Sequence, residues 1–429
     1  MQAVLMHPEF QQLFTHSAPI HGTEAVLERR MDWSAVPAKC AVYLLACGEL
    51  GHEPLLLATV GNLRAALQRR LDDAPPDVHT KRVAYGQICS TLHWRIVHSP
   101  FAANWWYWRA AKTLFPDRYR ELLGWQSSWW IGVDPKTPFP KLRRTQDLSD
   151  PGLECAGPIR DRTAAGKLID TVEDLFDLCR YHHILLQTPH GKACAYKEMG
   201  KCPAPCDGSV PLSWYDGQMR AAFRFITGEN SFRAQWRTAE EIRMKSAAST
   251  LAFEQASRIK QRIERARLIE TDPYTHMALL QDFAFLALQP GPGRTRIEPW
   301  YIRGGQVECW PAFKKTEIRT AVPVLLTRCI EKAQEPAPAL DASATEQMGL
   351  VAHHLFRGER EAGVYLRVKD VVTGGVDWLI RQAEAFFERK SAASGLPEQA
   401  SDRVSAEEAP VESGALPSLA EVVSPDAGR

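Results

Sequence analysis

The pattern of apolar and polar positions along this chain changes period several times. "CAVYLLACG" (40–48) and "EPLLLATVG" (53–61) are short apolar runs joined by the turn-like "GELGH", which predicts two β-strands. "NLRAALQRRL" follows at once, with Asn62 placed to cap a helix. "DDAPPDVHTKR" reads as a loop, "TLHWRIVHS" alternates like a strand, and "FAANWWYWRAAKTLF" predicts a helix ended by Pro116. The proline-broken "DPKTPFPKLRRT" belongs at a sheet edge. "AGKLIDTVEDLFDLC" predicts a helix running to Cys179, and "WYDGQMRAAFRFITGE" predicts one closed by Gly228. A long helical hairpin comes next. Its second arm, Ala247 to Ile269, places Leu251, Phe253, Ala256, Ile259 and Ile263 near one face. "RIEPWYIRGGQVECWPAF" predicts a β-hairpin with "GG" as its turn.

These elements divide the chain. Residues 1–35 form a peripheral helical region, and 36–150 a small sheet with helices. Residues 157–235 form a helical region bearing cysteines, and 236–270 the helical hairpin. Residues 271–330 hold the strand hairpin and a helix, 331–345 a linker, and 346–390 a small α/β piece. The fold class is therefore α/β at the start, then helical, then a small α+β domain. The segment 391–429 carries seven acids and two bases among Ser, Ala and Pro, a composition that predicts disorder.

Composition adds limits. The chain has 429 residues, 45% of them hydrophobic, and a formal net charge of +1, enough for two or three domains. Whole-chain charge gives no argument for a nucleic-acid partner, although "RMKSAASTLAFEQASRIKQRIERAR" is locally basic. No stretch reaches the apolar length of a membrane span, so no membrane association is expected. The start, "MQAVLMHPEFQQLF", lacks the pattern of a secretory leader. The expected location is the cytoplasm, where disulfides are rare, so ten cysteines invite a metal reading. Five of the 13 tryptophans fall in "NWWYW" and "SSWW"; core packing is the ordinary use of such residues, and stacking on bases the other.

Cys179, Cys194, Cys202 and Cys206 follow one another as C-x14-C-x7-C-x3-C, with prolines stiffening the last loop. Four thiolates close a tetrahedral zinc site or hold an iron–sulfur cluster, and the spacing does not choose between them. The competing reading is unligated cysteines in a small core.

The run from "GPIRDRTAAGKLIDTVEDLFDLC" through "ACAYKEMGKCPAPCDG" to "WYDGQMRAAFRFITG" resembles the middle of UvrC, the nuclease subunit of bacterial nucleotide excision repair. "AASTLAFEQASRIKQRIERARLI" resembles its UVR motif, a helical hairpin that docks the helicase subunit. The resemblance implies a 4Fe-4S cluster on Cys179, Cys194, Cys202 and Cys206, with zinc as the alternative. It implies partner docking through Phe253, Glu254, Ala256 and Ile259.

Upstream, residues 36–150 resemble the GIY-YIG nuclease domain that begins UvrC. "AVY" stands for the first motif and keeps Tyr43. In "LLLATVGNLRAAL", the second tyrosine, the glycine and the lysine of the motif become Leu56, Ala58 and Thr59. The arginine position falls on Ala66 and the glutamate position on Tyr107. The family is a DNA endonuclease, yet here its catalytic tyrosine, arginine and glutamate positions are substituted. Metal-dependent phosphodiester cleavage needs a carboxylate, a water-activating group and a cation. Tyr43 alone provides no such set. The expected function is a UvrC-like, DNA-binding pseudo-nuclease of DNA repair, with DNA and a UvrB-like helicase subunit as partners. Its expected phosphate contacts are Arg64, Arg69, Arg70, Lys192 and Lys201. The alternatives are an endonuclease using Mg or Mn, and an iron–sulfur redox-sensing scaffold.

Overall fold

The computed structural model describes residues 8–21, 31–47, 53–71, 85–228, 231–293, 295–336, 339–358 and 362–393. The turn "GELGH", the loop "DDAPPDVHTKR" and the tail from residue 394 lie outside them. Among the described residues the architecture is mixed α/β, with three small antiparallel sheets and many helices.

The first sheet follows α1 (Pro8–Leu13). It contains β1 (His16–Pro19), β2 (Ala41–Cys47) and β3 (Glu53–Val60), and then β4 (Thr91–Ile96), in the order β1-β4-β2-β3. Strand β2 is buried on both faces, as its unbroken apolar run requires. Val42 and Leu44 enter one core, while Ala41, Tyr43 and Leu45 enter another. Leu63, Leu67 and Leu71 of α2 (Leu63–Leu71) cover the Tyr43 face, next to the short α3 (Tyr85–Ile88). The Asn62 side chain caps α2 by accepting from the Ala65 N–H at 3.1 Å. The described part of residues 1–35 is less peripheral than expected. Phe10, Leu13 and Phe14 are core residues, and β1 is hydrogen-bonded along β4.

Helix α4 (Pro100–Leu114) carries the first tryptophan cluster and is capped by Ser99, which accepts from the Ala102 N–H at 3.0 Å. Trp105 and Trp108 are buried. They share one core with Val42 and Leu44 of the first sheet, Trp130 of the second, and Phe285 and Trp300 of the third. Trp105 meets Trp300 edge-on at 5.1 Å, and Arg95 lies 3.7 Å over the ring of Trp106. These tryptophans pack a core.

The second sheet consists of β5 (Trp129–Val133), β6 (Arg143–Thr145), β7 (Glu154–Ile159) and the short β8 (Ala278–Leu279), in the order β6-β5-β7-β8. The proline-broken segment does end in an edge strand. A boundary at residue 150 therefore divides this sheet between two expected regions. Two helices bury their apolar stripes on it: α5 (Arg162–Leu175), capped by Asp161, and, after the turns α6 (His182–Leu185) and α7 (Ala195–Glu198), α8 (Leu212–Thr227). Gly228 ends α8 at φ +69°, its N–H donating to the Arg224 carbonyl.

The helical hairpin is α9 (Phe232–Ser249) and α10 (Phe253–Ala266). Its second arm begins six residues later than the apolar pattern predicts. Leu251, in the left-handed region at φ +60°, belongs to the turn, and the Ala252 N–H returns to the Ala247 carbonyl. An apolar residue in a turn mimics the helical period.

The third sheet combines β9 (Ala284–Pro290), β10 (Arg296–Arg303), β11 (Gln306–Cys309) and β12 (Phe313–Lys314) with the distant β13 (Val364–Arg367). Strand β13 pairs with β9, so residues 271–330 and 346–390 build one sheet. The remaining helices are α11 (Ile318–Gln334), α12 (Ala342–Leu355) and α13 (Val368–Ala393), the last kinked at Gly375. Helix α12 starts within the stretch expected as a linker, and its Met348, Leu350 and Val351 join the tryptophan core.

Candidate functional site

The four cysteines lie between α5 and α8, on irregular backbone that the second sheet anchors. Cys179 ends the turn after α5, where Asp177 sits at φ +52°. Cys194 caps the short α7, and Cys206 lies in the turn Pro205–Asp207. Cys179, Cys202 and Cys206 are buried, and Cys194 is half-buried. The loop is fastened by its own polar groups. The Gly191 N–H donates to the Cys206 carbonyl at 2.9 Å. A Cβ on Gly191 would stand 2.8 Å from that carbonyl oxygen, so the position accepts only glycine without a shift. Lys197 Nζ donates to Asp207 Oδ2 at 2.6 Å and to Ser209 Oγ at 2.8 Å.

Cys179 Sγ donates to the Tyr181 carbonyl at 3.6 Å. The neighbouring Cys202 thiol, with burial, raises the Cys179 thiol above its ordinary range. Cys179 in turn lowers Cys202 toward the thiolate, against the opposing effect of burial. Cys206 is raised, mainly by burial, and it feels both Cys202 and Cys194. All ten cysteines are free of disulfides. Among the described residues no group of three or more His, Cys, Asp or Glu side chains converges in the geometry of a metal centre. The donor chemistry of the loop nonetheless suits a soft metal: three buried thiols, one poised toward thiolate, with a fourth within electrostatic reach.

Tyr43 is fully buried, and its hydroxyl has no hydrogen-bond partner among the described residues. Burial pushes its pKa up to about 12; the Arg70 guanidinium opposes this, and Tyr85 and Cys89 act in the same pocket. Arg70, one turn beyond Ala66, thus reaches the face of Tyr43. Among the described residues no carboxylate is one of the groups that act most strongly on Tyr43. Tyr107 packs on the opposite core and donates to the Leu122 carbonyl at 3.1 Å. The position matched to the family glutamate is therefore separated from Tyr43 by the sheet. Sequence reasoning missed Tyr85 and Cys89, which "YGQIC" gives no sign of bringing there.

The basic residues divide by use. Arg64 Nε donates to the Val36 carbonyl at 2.8 Å, which ties it to the fold. Arg70 is half-buried toward Tyr43, whereas Arg69 is exposed. Lys192 and Lys201 are exposed on either side of the cysteine loop. Lys197, which no spacing signalled, is the lysine that locks the loop.

At the hairpin tip Leu251 and Phe253 are 74% and 64% exposed, and Glu254 is exposed beside them. Ala256 is half-buried and Ile259 is buried. Ile259 therefore packs the hairpin, and Phe253 faces solvent. A shallow cleft of about 590 Å³ lies at this tip, lined by Leu251, Phe253, Glu254 and Arg258.

Residues 128–225 match the model of the UvrC/Cho excinuclease middle domain. The middle of this chain is homologous to the UvrC family. The match opens at the first strand of the second sheet and closes within α8, so it contains all four cysteines. The UvrABC system protein C of Flavobacterium johnsoniae is 31% identical over 158 residues, 36% of this chain and 26% of that protein. That of Syntrophomonas wolfei is 24% identical over 290 residues, 67% of this chain and 46% of that protein. That of Wolinella succinogenes is 25% identical over 179 residues, 42% of this chain and 28% of that protein. This chain thus spans between about a quarter and a half of these relatives. No solved structure matches it. No described helix is long and apolar enough to cross a membrane.

Proposed function

We propose that this chain is a UvrC-like DNA-binding protein of DNA repair, whose N-terminal region is a degenerate GIY-YIG-like unit that binds DNA without cutting it. The observation that carries this reading is the pairing of a UvrC-homologous middle with a Tyr43 pocket built from Arg70, Tyr85 and Cys89. A divalent ion needs a carboxylate beside the attacked phosphate, and the described residues of this pocket offer an arginine and two phenols. Arg69, Lys192 and Lys201 supply the exposed positive charge for backbone contact.

The four cysteines hold a metal centre, a 4Fe-4S cluster in preference to zinc. Cys179, Cys194, Cys202 and Cys206 would ligate it, and bound metal would add folding stability to an otherwise irregular loop. The centre positions Lys192 and Lys201. The exposed Phe253 and Glu254 at the UVR-like tip support docking of a UvrB-like helicase subunit.

Anisotropy titrations with duplex, nicked and single-stranded DNA across salt concentrations test the binding. Affinity is expected to fall steeply with salt. Arg69→Ala with Arg70→Ala is expected to weaken binding to different sequences equally. Nicking in Mg²⁺ or Mn²⁺ that is abolished by Tyr43→Phe would establish the endonuclease reading instead.

A further inference from the structure

Trp105 and Trp108 lie in the core, whereas the cysteine loop holds an aromatic ring at the surface. Tyr181 is 43% exposed, and among the described residues no other tyrosine or tryptophan is as open to solvent. Its backbone is fixed from below. The Tyr181 carbonyl accepts from the N–H groups of Ile184 and Leu185 at 2.9 and 3.1 Å, and from Cys179 Sγ at 3.6 Å. The ring is flanked by Tyr196 at 5.8 Å and by His183 at 6.0 Å, with interplanar angles of 61° and 62°. Both neighbours are steeply tilted, so no described ring is stacked on the face of Tyr181. Its stacking position is open to a planar group that arrives from solvent.

Positive charge adjoins this ring. The Lys201 N–H donates to the Tyr196 carbonyl at 2.9 Å, which sets Lys201 beside the aromatic group. The Arg180 guanidinium lies 5.2 Å over the Tyr196 ring. From Arg180 to Ser209 the loop has four cations, Arg180, Lys192, Lys197 and Lys201, against two carboxylates, Glu198 and Asp207. Arg180 is held by Asp174 and Lys197 by Asp207, both at 2.6 Å. Among the described residues no ion pair engages Lys192, Lys201 or Glu198, so the charge left to act on a ligand is positive on balance. An open aromatic face beside a free lysine matches a nucleotide, whose base is planar and whose phosphate is anionic.

We propose that Tyr181 is a stacking platform for an unpaired base of a DNA strand, with Lys201 on the adjoining phosphate. The inference rests on the DNA-binding reading and narrows it. The cysteine loop would hold strands whose bases are free to leave the helix, and it would read them without sequence preference, since every base has a π-face. Tyr196 and His183 act as positioning residues, because their edges limit how the Tyr181 ring can turn.

Anisotropy titrations of the full chain with labelled oligothymidylate, an abasic strand of the same length and a duplex test the proposal. The abasic strand keeps the phosphates and removes the bases. Wild-type protein should bind oligothymidylate at least about fivefold more tightly than the abasic strand. Tyr181→Ala should abolish that preference while leaving abasic affinity unchanged, and Tyr181→Phe should retain it. Tyr181→Leu keeps apolar bulk in the loop and should behave as Tyr181→Ala does. Lys201→Ala should weaken both strands by the same factor and make the salt dependence shallower. A wild-type preference for bases in Tyr181→Leu would overturn the proposal, as would an equal loss on both strands. Salt-sensitive duplex binding with no gain from unpaired bases would overturn the stacking role and leave the DNA-binding reading standing. Failure to bind all three probes would overturn both.

Discussion

Arg262, on the second arm of the helical hairpin, donates a hydrogen bond to the carbonyl oxygen of Leu175 at the end of α5. The same guanidinium lies 3.5 Å from Asp177 and 3.8 Å from the buried carboxylate of Glu240 on the first arm. One side chain thus joins both arms of the hairpin to the helix that leads into the cysteines.

Arg262→Ala should destabilise the protein by about 2–3 kcal/mol, because it takes a neighbouring cation from a buried carboxylate and leaves a carbonyl short of a donor. Arg262→Lys should recover only part of the loss, since an ammonium cannot span three acceptors as the planar fork does. Thermal unfolding of both variants checks this, and hydrogen exchange in α10 should rise with the loss.

Glu173 gives stability a pH dependence. Burial pushes its carboxyl up to about 7, against Arg180, which lowers it. Asp177 is also raised by burial, despite Arg262. A carboxyl with a raised folded pKa holds its proton more tightly in the native state. Its contribution is therefore present at acid pH and declines as pH rises from about 4.5 through about 7. Glu173→Gln should flatten the stability profile in this window. It should also raise stability above pH 7 by up to about 3 kcal/mol, the free-energy equivalent of the shift. Denaturant midpoints of the two proteins across pH 4.5–8 provide the measurement.

Protein purified without oxygen should carry iron, with the visible absorbance of a cluster. Cys202→Ser and Cys206→Ser should each lower both the metal content and the unfolding temperature. Gly191→Ala should have a weaker effect of the same sign, because its added methyl displaces the Cys206 carbonyl. Stoichiometric zinc without iron would decide for the alternative metal, and a chain free of both would leave the cysteines as packing residues.

Tyr43→Phe should leave stability unchanged or improve it, in contrast to most core substitutions. The hydroxyl it removes is buried without a partner, and the ring that fills the core remains. A loss of more than about 1 kcal/mol would mean that Arg70 forms a stronger bond to that hydroxyl than the geometry shows.

What could be read in the sequence was local. Asn62 and Gly228 mark helix ends through bonds that span three or four residues, and Gly304–Gly305 marks a turn that needs positive φ at both positions. The cysteine loop was equally visible as a cluster of residue types. The pairing of β1 with β4 and of β13 with β9 joins segments far apart, and no local period records such a choice. Tyr107 illustrates the same limit at the site. It falls in register with a family motif, yet strand alternation and the packing of α4 put it on the other side of the sheet from Tyr43. Lys197 and Arg262 act through contacts whose partners cannot be known before the backbone is folded.

The tryptophan core around α4 bears on how this protein can be taken apart. A fragment stopping near residue 150 would keep the first sheet but lose Phe285, Trp300 and Met348, which seal the far side of that helix. Trp105 and Trp108 would then be wetted, and such a fragment should aggregate or need detergent. Limited proteolysis should instead release the hairpin tip early and leave residues 85–120 and 280–355 in one resistant piece. A minimal expressible unit of this protein is therefore bounded by a shared interior, and it draws on segments far apart in the chain.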